Sequence, residues 1–227
     1  QLNHAERDPL SGRPWSSKNL RECYRVGMEK IGWTRWTPKP RTLRSGRLLV
    51  GLGMATATFP GARAADAARS VSEAEAQARP RPEADGYAVQ SFGAQFCEVH
   101  VDPELGRVRV ARHVVVLDLG RVPNPQLARS RATGGVIRGI GLALTEQLRY
   151  DAATGRAVSD GRYLVPTAAD VGEISAHFLD PADPEVVARE VGDLATCGVA
   201  PAIANAIYNA TGRRLRELPL TPDKLLL

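Results

Sequence analysis

Cysteine is scarce in this sequence: Cys23, Cys97 and Cys197 are three in 227 residues, widely spaced and with no Cys-x-x-Cys pair. That excludes a disulfide framework and a zinc ribbon, and it leaves the redox compartment open. Long apolar runs are missing as well, and nothing approaches the roughly 20 residues that a membrane-spanning helix needs. No charged-then-apolar leader follows Gln1, so a targeting segment is expected to be removed or to lie outside the chain. A soluble protein is expected, periplasmic or cytoplasmic, with no membrane partner. Lysine is rare too, 4 against 26 arginines. The net charge of +5 is confined to the first fifth: residues 1–47 carry 11 basic and 4 acidic side chains, and the remaining 180 carry 19 and 21. With Ala, Gly and Pro abundant, the arginine excess is explained by coding bias, and no nucleic-acid partner is expected.

What is present suffices for a core. The chain has 227 residues and 24.4 kDa, with 43% hydrophobic and 24% charged residues, ordinary values for a folded domain. Leu20, Cys23, Tyr24, Met28 and Ile31 recur at helical steps after a start at Ser16-Ser17, and Gly32 ends that helix. Residues 47–59 read as a strand of small residues closed by Pro60-Gly61. From 62 to 84 Val71 is the only larger aliphatic residue, so 61–86 reads as a linker. Beyond it come strands at 92–101 and 107–117 around the turn Asp102-Pro-Glu-Leu-Gly106, and a helix opening at Asn124-Pro125 that runs to about Glu146. A hairpin around Asp151 to Gly155, a strand at 173–179 and an Ala-rich helix at 198–211 follow. The order is α+β, with helices and hairpins rather than βαβ repeats. Glycines 134, 135, 139 and 141 inside one helix predict close approach to another backbone.

Most chemical signatures fail. Gly51-Leu-Gly53-Met-Ala-Thr56 follows a strand, but it lacks the third glycine, the helix and the acidic residue of a dinucleotide fingerprint. The stretch at Gly192 lacks the lysine of a phosphate loop. His4, His100, His113 and His177 form no metal-ligand spacing, no Gly-x-Ser-x-Gly is present, and Cys97 has no evident base. One carboxylate stands out. Asp193 lies in the small-residue turn Val191-Gly192-Asp193-Leu194-Ala195, ahead of a helix at Gly198. It is either a helix-capping residue or an acid or base beside a closely approaching ligand.

Several motifs occur together in a recognisable order. They are Ser91-Phe-Gly-Ala-Gln-Phe-Cys-Glu-Val-His-Val-Asp-Pro103, Gly120-Arg-Val-Pro-Asn-Pro125, Ala128-Arg-Ser-Arg-Ala-Thr-Gly-Gly135, Gly139-Ile-Gly-Leu-Ala-Leu144, Gly198-Val-Ala-Pro-Ala-Ile-Ala-Asn-Ala206 and Leu218-Pro-Leu-Thr-Pro-Asp-Lys-Leu225. Through them, residues 87–227 resemble the C-terminal part of the molybdenum-binding large subunit of the xanthine dehydrogenase and aldehyde oxidase family, in its bacterial periplasmic-type aldehyde oxidoreductase form. Residues 8–59, with "SSKNLRECYRVGMEKIGW" and "GRLLVGLGMATATFP", resemble an earlier part of the same subunit.

The resemblance implies an α+β fold like part of the molybdopterin-binding domains. It also implies a molybdenum–pyranopterin cofactor, in the cytosine dinucleotide form, and iron–sulfur and FAD groups on partner subunits. The activity implied is hydroxylation of an aldehyde or heteroaromatic carbon with a carboxylate as general base. Three organisational parts are expected: 1–60, a linker at 61–86 where the family carries a long stretch, and 87–227. The chain would then be an internally deleted fragment, impaired alone or surviving as a catalytically silent piece that docks to the partner subunits. The family's catalytic glutamate aligns with Asp193, one methylene shorter, and Arg131 stands at the family's pterin-contacting glutamine. Gly134, Gly135 and Gly192 are the other expected cofactor contacts, and no side chain is expected to ligate the metal. Glu190 and Arg138 replace a glycine and a large apolar residue of the family pattern. The two parts are expected to pack loosely, the glycine-rich helix having lost the backbone it was shaped to meet.

Overall fold

In the computed structural model, which describes residues 5–60, 86–147, 150–158, 164–181 and 190–226, five strands form one sheet in the order of the chain. They are β1 (Leu43–Ser45), β2 (Leu48–Pro60), β3 (Gln90–Val101), β4 (Val108–Asp118) and β5 (Glu173–Phe178). The first four pair antiparallel, and β5 joins β4 in parallel after the helix α2 (Pro125–Leu144). The remaining helices are α1 (Leu20–Ile31), the short α3 (Gly192–Cys197) and α4 (Val199–Thr211). The fold is α+β. The linker assigned to 61–86 lies, apart from Gly86, outside the described residues, as does the end of the 150s hairpin, whose described part closes through Asp151 N–H to Arg156 O at 2.9 Å.

Alternation along the strands divides the core in two, because successive side chains point to opposite faces. Val114 and Val116 join Phe92, Ala94, Phe96 and Leu52 under α1, while Val115 and Leu117 face α2, α3 and α4 on the other side. The stripe α1 buries is Leu20, Cys23, Gly27 and Ile31 rather than one containing Met28. Gly27 is the reason: a Cβ there would stand 2.1 Å from the Phe96 ring, so the aromatic takes the place of a side chain. The helix starts at Asn19, not Ser16-Ser17, because the Asn19 N–H donates to the buried Asp118 carboxylate at 2.8 Å, and Gly32 closes it in the left-handed conformation.

The segments on either side of residues 61–85 are closely packed rather than loose. β2 and β3 pair continuously from Leu49–Val101 to Pro60–Gln90. Gly51 and Gly53, the pair that falls short of a dinucleotide fingerprint, bring β2 against the backbone of α4. A Cβ on Gly53 would lie 2.2 Å from Ala206 N and 2.3 Å from Ala202 O. Asn209 adds a buried tie, accepting from Leu52 N–H at 3.1 Å and donating to Thr37 O at 2.8 Å.

Much of the N-terminal positive charge serves this packing. Arg35 pairs with the buried Glu98, and Arg47 reaches Asp102 at 2.7 Å. Arg41, in the left-handed region at φ 63°, donates its backbone N–H to Asn209 O and its Nε to Thr211 O at 2.7 Å, capping the last turn of α4. Burial works to raise the Glu98 pKa, but the guanidinium of Arg35 and the His100 ring together outweigh it, and the carboxyl is held below the usual carboxylate range.

Candidate functional site

Of the five residues expected at a cofactor, Gly135 and Gly192 meet where α2 packs on α3, and Arg131, Gly134 and Asp193 lie along those two helices. Asn124 starts α2, its side chain accepting from Leu127 N–H at 2.9 Å, with Pro125 in the first turn. Ala128, Ala132, Gly135, Val136 and Gly139 are buried along one side, whereas Arg131, Gly134 and Arg138 are exposed. The backbone expected to be lost is present: a Cβ on Gly135 would lie 2.6 Å from Gly192 O and 3.0 Å from Ala195 Cβ, and one on Gly139 would meet Val199. Gly135 and Gly192 thus work as a pair that lets α2 and α3 touch. At Gly134 nothing lies within 4 Å of the point a Cβ would occupy.

These adjacent glycines give opposite expectations. Gly134→Ala fills open space in a helix and is expected to stabilise the chain by about 0.5–1 kcal/mol. Gly135→Ala pushes against a carbonyl and is expected to destabilise it by about 1–3 kcal/mol. Urea denaturation of both variants beside the parent chain checks the pair; equal shifts would contradict this packing.

Asp193 is in the first turn of α3, not in a turn ahead of a helix at Gly198, and its side chain makes no capping hydrogen bond. Glu190 takes that part, its Oε1 accepting from Val191 N–H at 3.0 Å and Gly192 N–H at 2.9 Å. The Asp193 carboxylate is left 52% exposed, with Arg138 Nη1 3.7 Å from Oδ1 and itself 71% exposed. A pair so open to water contributes little to stability, and it leaves the carboxylate free to accept a proton from a neighbour.

Beneath α3 lies a buried polar chain that sequence reasoning missed. Gln95 on β3 donates from Nε2 to Ala195 O at 2.7 Å and to Leu194 O at 3.3 Å, and its Oε1 lies 2.7 Å from His113 Nε2. The amide orientation makes His113 the donor, with its proton on Nε2. Its Nδ1 has no hydrogen-bond partner among the described residues. Full burial pushes the His113 pKa down to about 3, so the ring is neutral. Gly198 leaves the room that Gln95 needs, since a Cβ there would lie 2.8 Å from its Cγ. The only sequence signal for this chain was that Gln95 and Gly198 fall inside the quoted motifs. Among the described residues no group of three or more His, Cys, Asp or Glu is placed to hold a metal ion, and no helix is long and apolar enough to cross a membrane.

Comparison with known proteins converges on one group. Residues 69–172 match the molybdopterin cofactor-binding domain. The aldehyde oxidoreductase molybdenum-binding subunit PaoC of Escherichia coli K12 is 44% identical over 145 residues, which is 62% of this chain and 20% of that protein. The probable hypoxanthine oxidase XdhD of the same organism is 36% identical over 139 residues, covering 60% of this chain and 14% of that protein. Among solved structures, the aldehyde oxidoreductase of Desulfovibrio gigas aligns with a TM-score of 0.53 at 32% identity, over 62% of this chain and 15% of that one. The aldehyde oxidoreductase of Desulfovibrio desulfuricans aligns over 95% of this chain and 36% of that one, with a TM-score of 0.68; at 18% identity this likeness is one of fold. The chain thus spans about a fifth of the length of the relatives it matches. The sequence matches and the fold point the same way: over the stretches that align, the chain is similar to molybdenum-binding subunits of the xanthine dehydrogenase and aldehyde oxidoreductase family.

Proposed function

We propose that this chain supplies one wall of a molybdenum–pyranopterin site in an oxidoreductase that hydroxylates aldehydes or N-heterocycles, and that alone it is impaired. The observation that carries this is the meeting of the α2 and α3 backbones at Gly135 and Gly192, with Arg131 and Gly134 exposed on α2 and Asp193 half exposed on α3 beside Arg138. The residues present fit the group as a wall and not as an enclosure. Gly134 leaves a gap that a Cβ would narrow, Arg131 offers an exposed guanidinium to phosphate or pterin oxygens, and Asp193 stays half exposed beside Arg138. When bound, the cofactor, in its cytosine dinucleotide form, supplies the oxygen-transfer and electron-accepting chemistry, with iron–sulfur and FAD partner subunits taking the electrons away. The part played by this chain is to hold the group by Arg131 and Gly134 and to take up a proton at Asp193 Oδ1 or Oδ2. Asp193 is one methylene shorter than glutamate, and a displacement of about 1 Å can cost on the order of 100-fold in rate.

The test is cofactor content. After co-expression with a cofactor-insertion chaperone, the purified chain is expected to carry molybdenum by mass spectrometry and pterin by fluorescence, well below one equivalent. Arg131→Ala is expected to lower both about tenfold, the cost of one charge-assisted contact. Absence of both from the folded parent chain would reject the proposal.

A second role, a catalytically silent piece that docks to the iron–sulfur and FAD subunits, is favoured by one feature. The N–H groups of Val191 and Gly192 at the start of α3 are already taken by Glu190, and Asp193 already faces Arg138. Co-purification with those subunits without molybdenum would select it.

A further inference from the structure

A cleft of about 440 Å³ opens at the carboxyl ends of the parallel strands β4 and β5, between the segments that follow them and the first turns of α2. Its lining comes from Gly120, Arg121 and Val122 after β4, Pro125 and Arg129 on α2, and Ala176 to Pro181 at β5. It is separate from the α2–α3 face. At 100° per residue, Pro125 and Arg129 lie roughly opposite Arg131, Gly134 and Arg138 around the helix. Parallel strands leave such crevices because the chain departs from their ends in different directions, and small molecules commonly occupy them.

From this cleft we infer a binding site for a phosphorylated small organic molecule, independent of the cofactor proposal above. Three observations carry it. Arg121 and Arg129 both line the cleft and neither makes an ion pair among the described residues, although the carboxylate of Asp180 lines the same space. Two guanidinium forks without an ion pair among the described residues, on one concave surface, are suited to phosphate oxygens, which each can grip in a bidentate way. Beside Arg121 and Arg129, Lys30 acts on the same space. His177, also in the lining, has its pKa lowered first by burial and then by the charges of Lys30 and Arg129. Finally, the space is far larger than a lone ion needs, a water occupying about 30 Å³. Val122, Phe178, Leu179 and Pro181 supply apolar lining to cover an organic portion.

Calorimetric titration of the full chain with phenyl phosphate and with inorganic phosphate tests this, the ring serving as a simple organic group. Saturable binding of phenyl phosphate is expected, about fivefold or more tighter than inorganic phosphate because the ring buries apolar surface. Arg121→Gln and Arg129→Gln are each expected to weaken it about tenfold. Arg109→Gln, near the opposite end of β4 and outside the lining, is expected to change it less than twofold. Thermal melting checks that each variant is folded, and since both arginines are at the surface their midpoints should match the parent's. The site is overturned by absence of saturable binding below about 10 mM. It is overturned equally if the ring adds no affinity, or if Arg121→Gln and Arg129→Gln both bind like the parent. A failed molybdenum analysis leaves this titration unaffected, so the two proposals fail separately.

Discussion

Replacing Gly53 by valine is expected to cost about 4 kcal/mol or more and to lower the melting temperature by about 10 °C or more. The reason is that the neighbour is main chain. The new Cβ would start 2.2 Å from Ala206 N and 2.3 Å from Ala202 O, and neither atom can move without bending α4. Ala202, Ala206 and Ala210 form the stripe that α4 lays on β2, and all three are fully buried, so no cavity nearby can absorb the side chain. Gly51 repeats the arrangement one step along the same face of the strand, with a Cβ only 2.0 Å from Ala206 O. Because the clash is with the backbone, adding Ala206→Gly to Gly53→Val should not restore the melting point. Full rescue would mean that side chains, not main chains, set the spacing between β2 and α4.

The second large effect is acid sensitivity centred on His113. The ring is neutral in the folded chain, with its pKa depressed by burial from 6.5 to about 3. The unfolded chain therefore binds the extra proton first. Stability from this group is fully present above pH 6.5 and is lost as pH falls from 6.5 toward 3, at about 1.4 kcal/mol per pH unit. Between pH 7.5 and 4.5 the loss is expected to reach about 2–3 kcal/mol. His113→Leu cannot titrate, but it leaves the Gln95 Oε1 acceptor buried without its donor, which costs about 1–3 kcal/mol at neutral pH. The variant should be weaker than the parent at pH 7.5 and close to it near pH 5. Other acid-sensitive groups are common to both proteins: Glu98 and Asp170, held low by their partners, and His177, lowered by burial. Urea midpoints measured across this range give the comparison, and parallel pH slopes for the two chains would refute the role of His113.

The same buried chain bears on the site. Gln95 joins His113 to the carbonyls of Leu194 and Ala195, directly behind Asp193. Sequence reasoning passed over both residues because a lone histidine in a strand has no ligand spacing, and because a glutamine inside a strand motif carries no signal of its partner. The partner is about 100 residues away along the chain. Glu190 was noticed only as a bulky replacement for a glycine, and its carboxylate turns out to satisfy the N–H groups of Val191 and Gly192. The capping role considered for Asp193 therefore belongs to a residue three positions earlier.

Other elements were readable because their causes are local. Asn124-Pro125 starts α2, Gly32 ends α1, and the turn at Asp102 joins β3 to β4, its Oδ1 accepting from Glu104 and Leu105 N–H. Capping groups and turn residues act over three or four positions, so they are legible in one dimension. The family motifs were readable for a different reason, their order along the chain. Those two kinds of signal sufficed for the α+β class, for the resemblance to molybdenum-binding subunits and for the longer helices and strands, though not for β1 or the short α3. The depth of the packing was decided in three dimensions. Whether a glycine is a hinge, a ligand contact or a place where two backbones meet depends on what lies across from it. Gly51, Gly53 and Gly135 face main chain, Gly27 faces the ring of Phe96, and Gly134 faces open space. Residues distant in sequence set those distances, and only the fold brings them together.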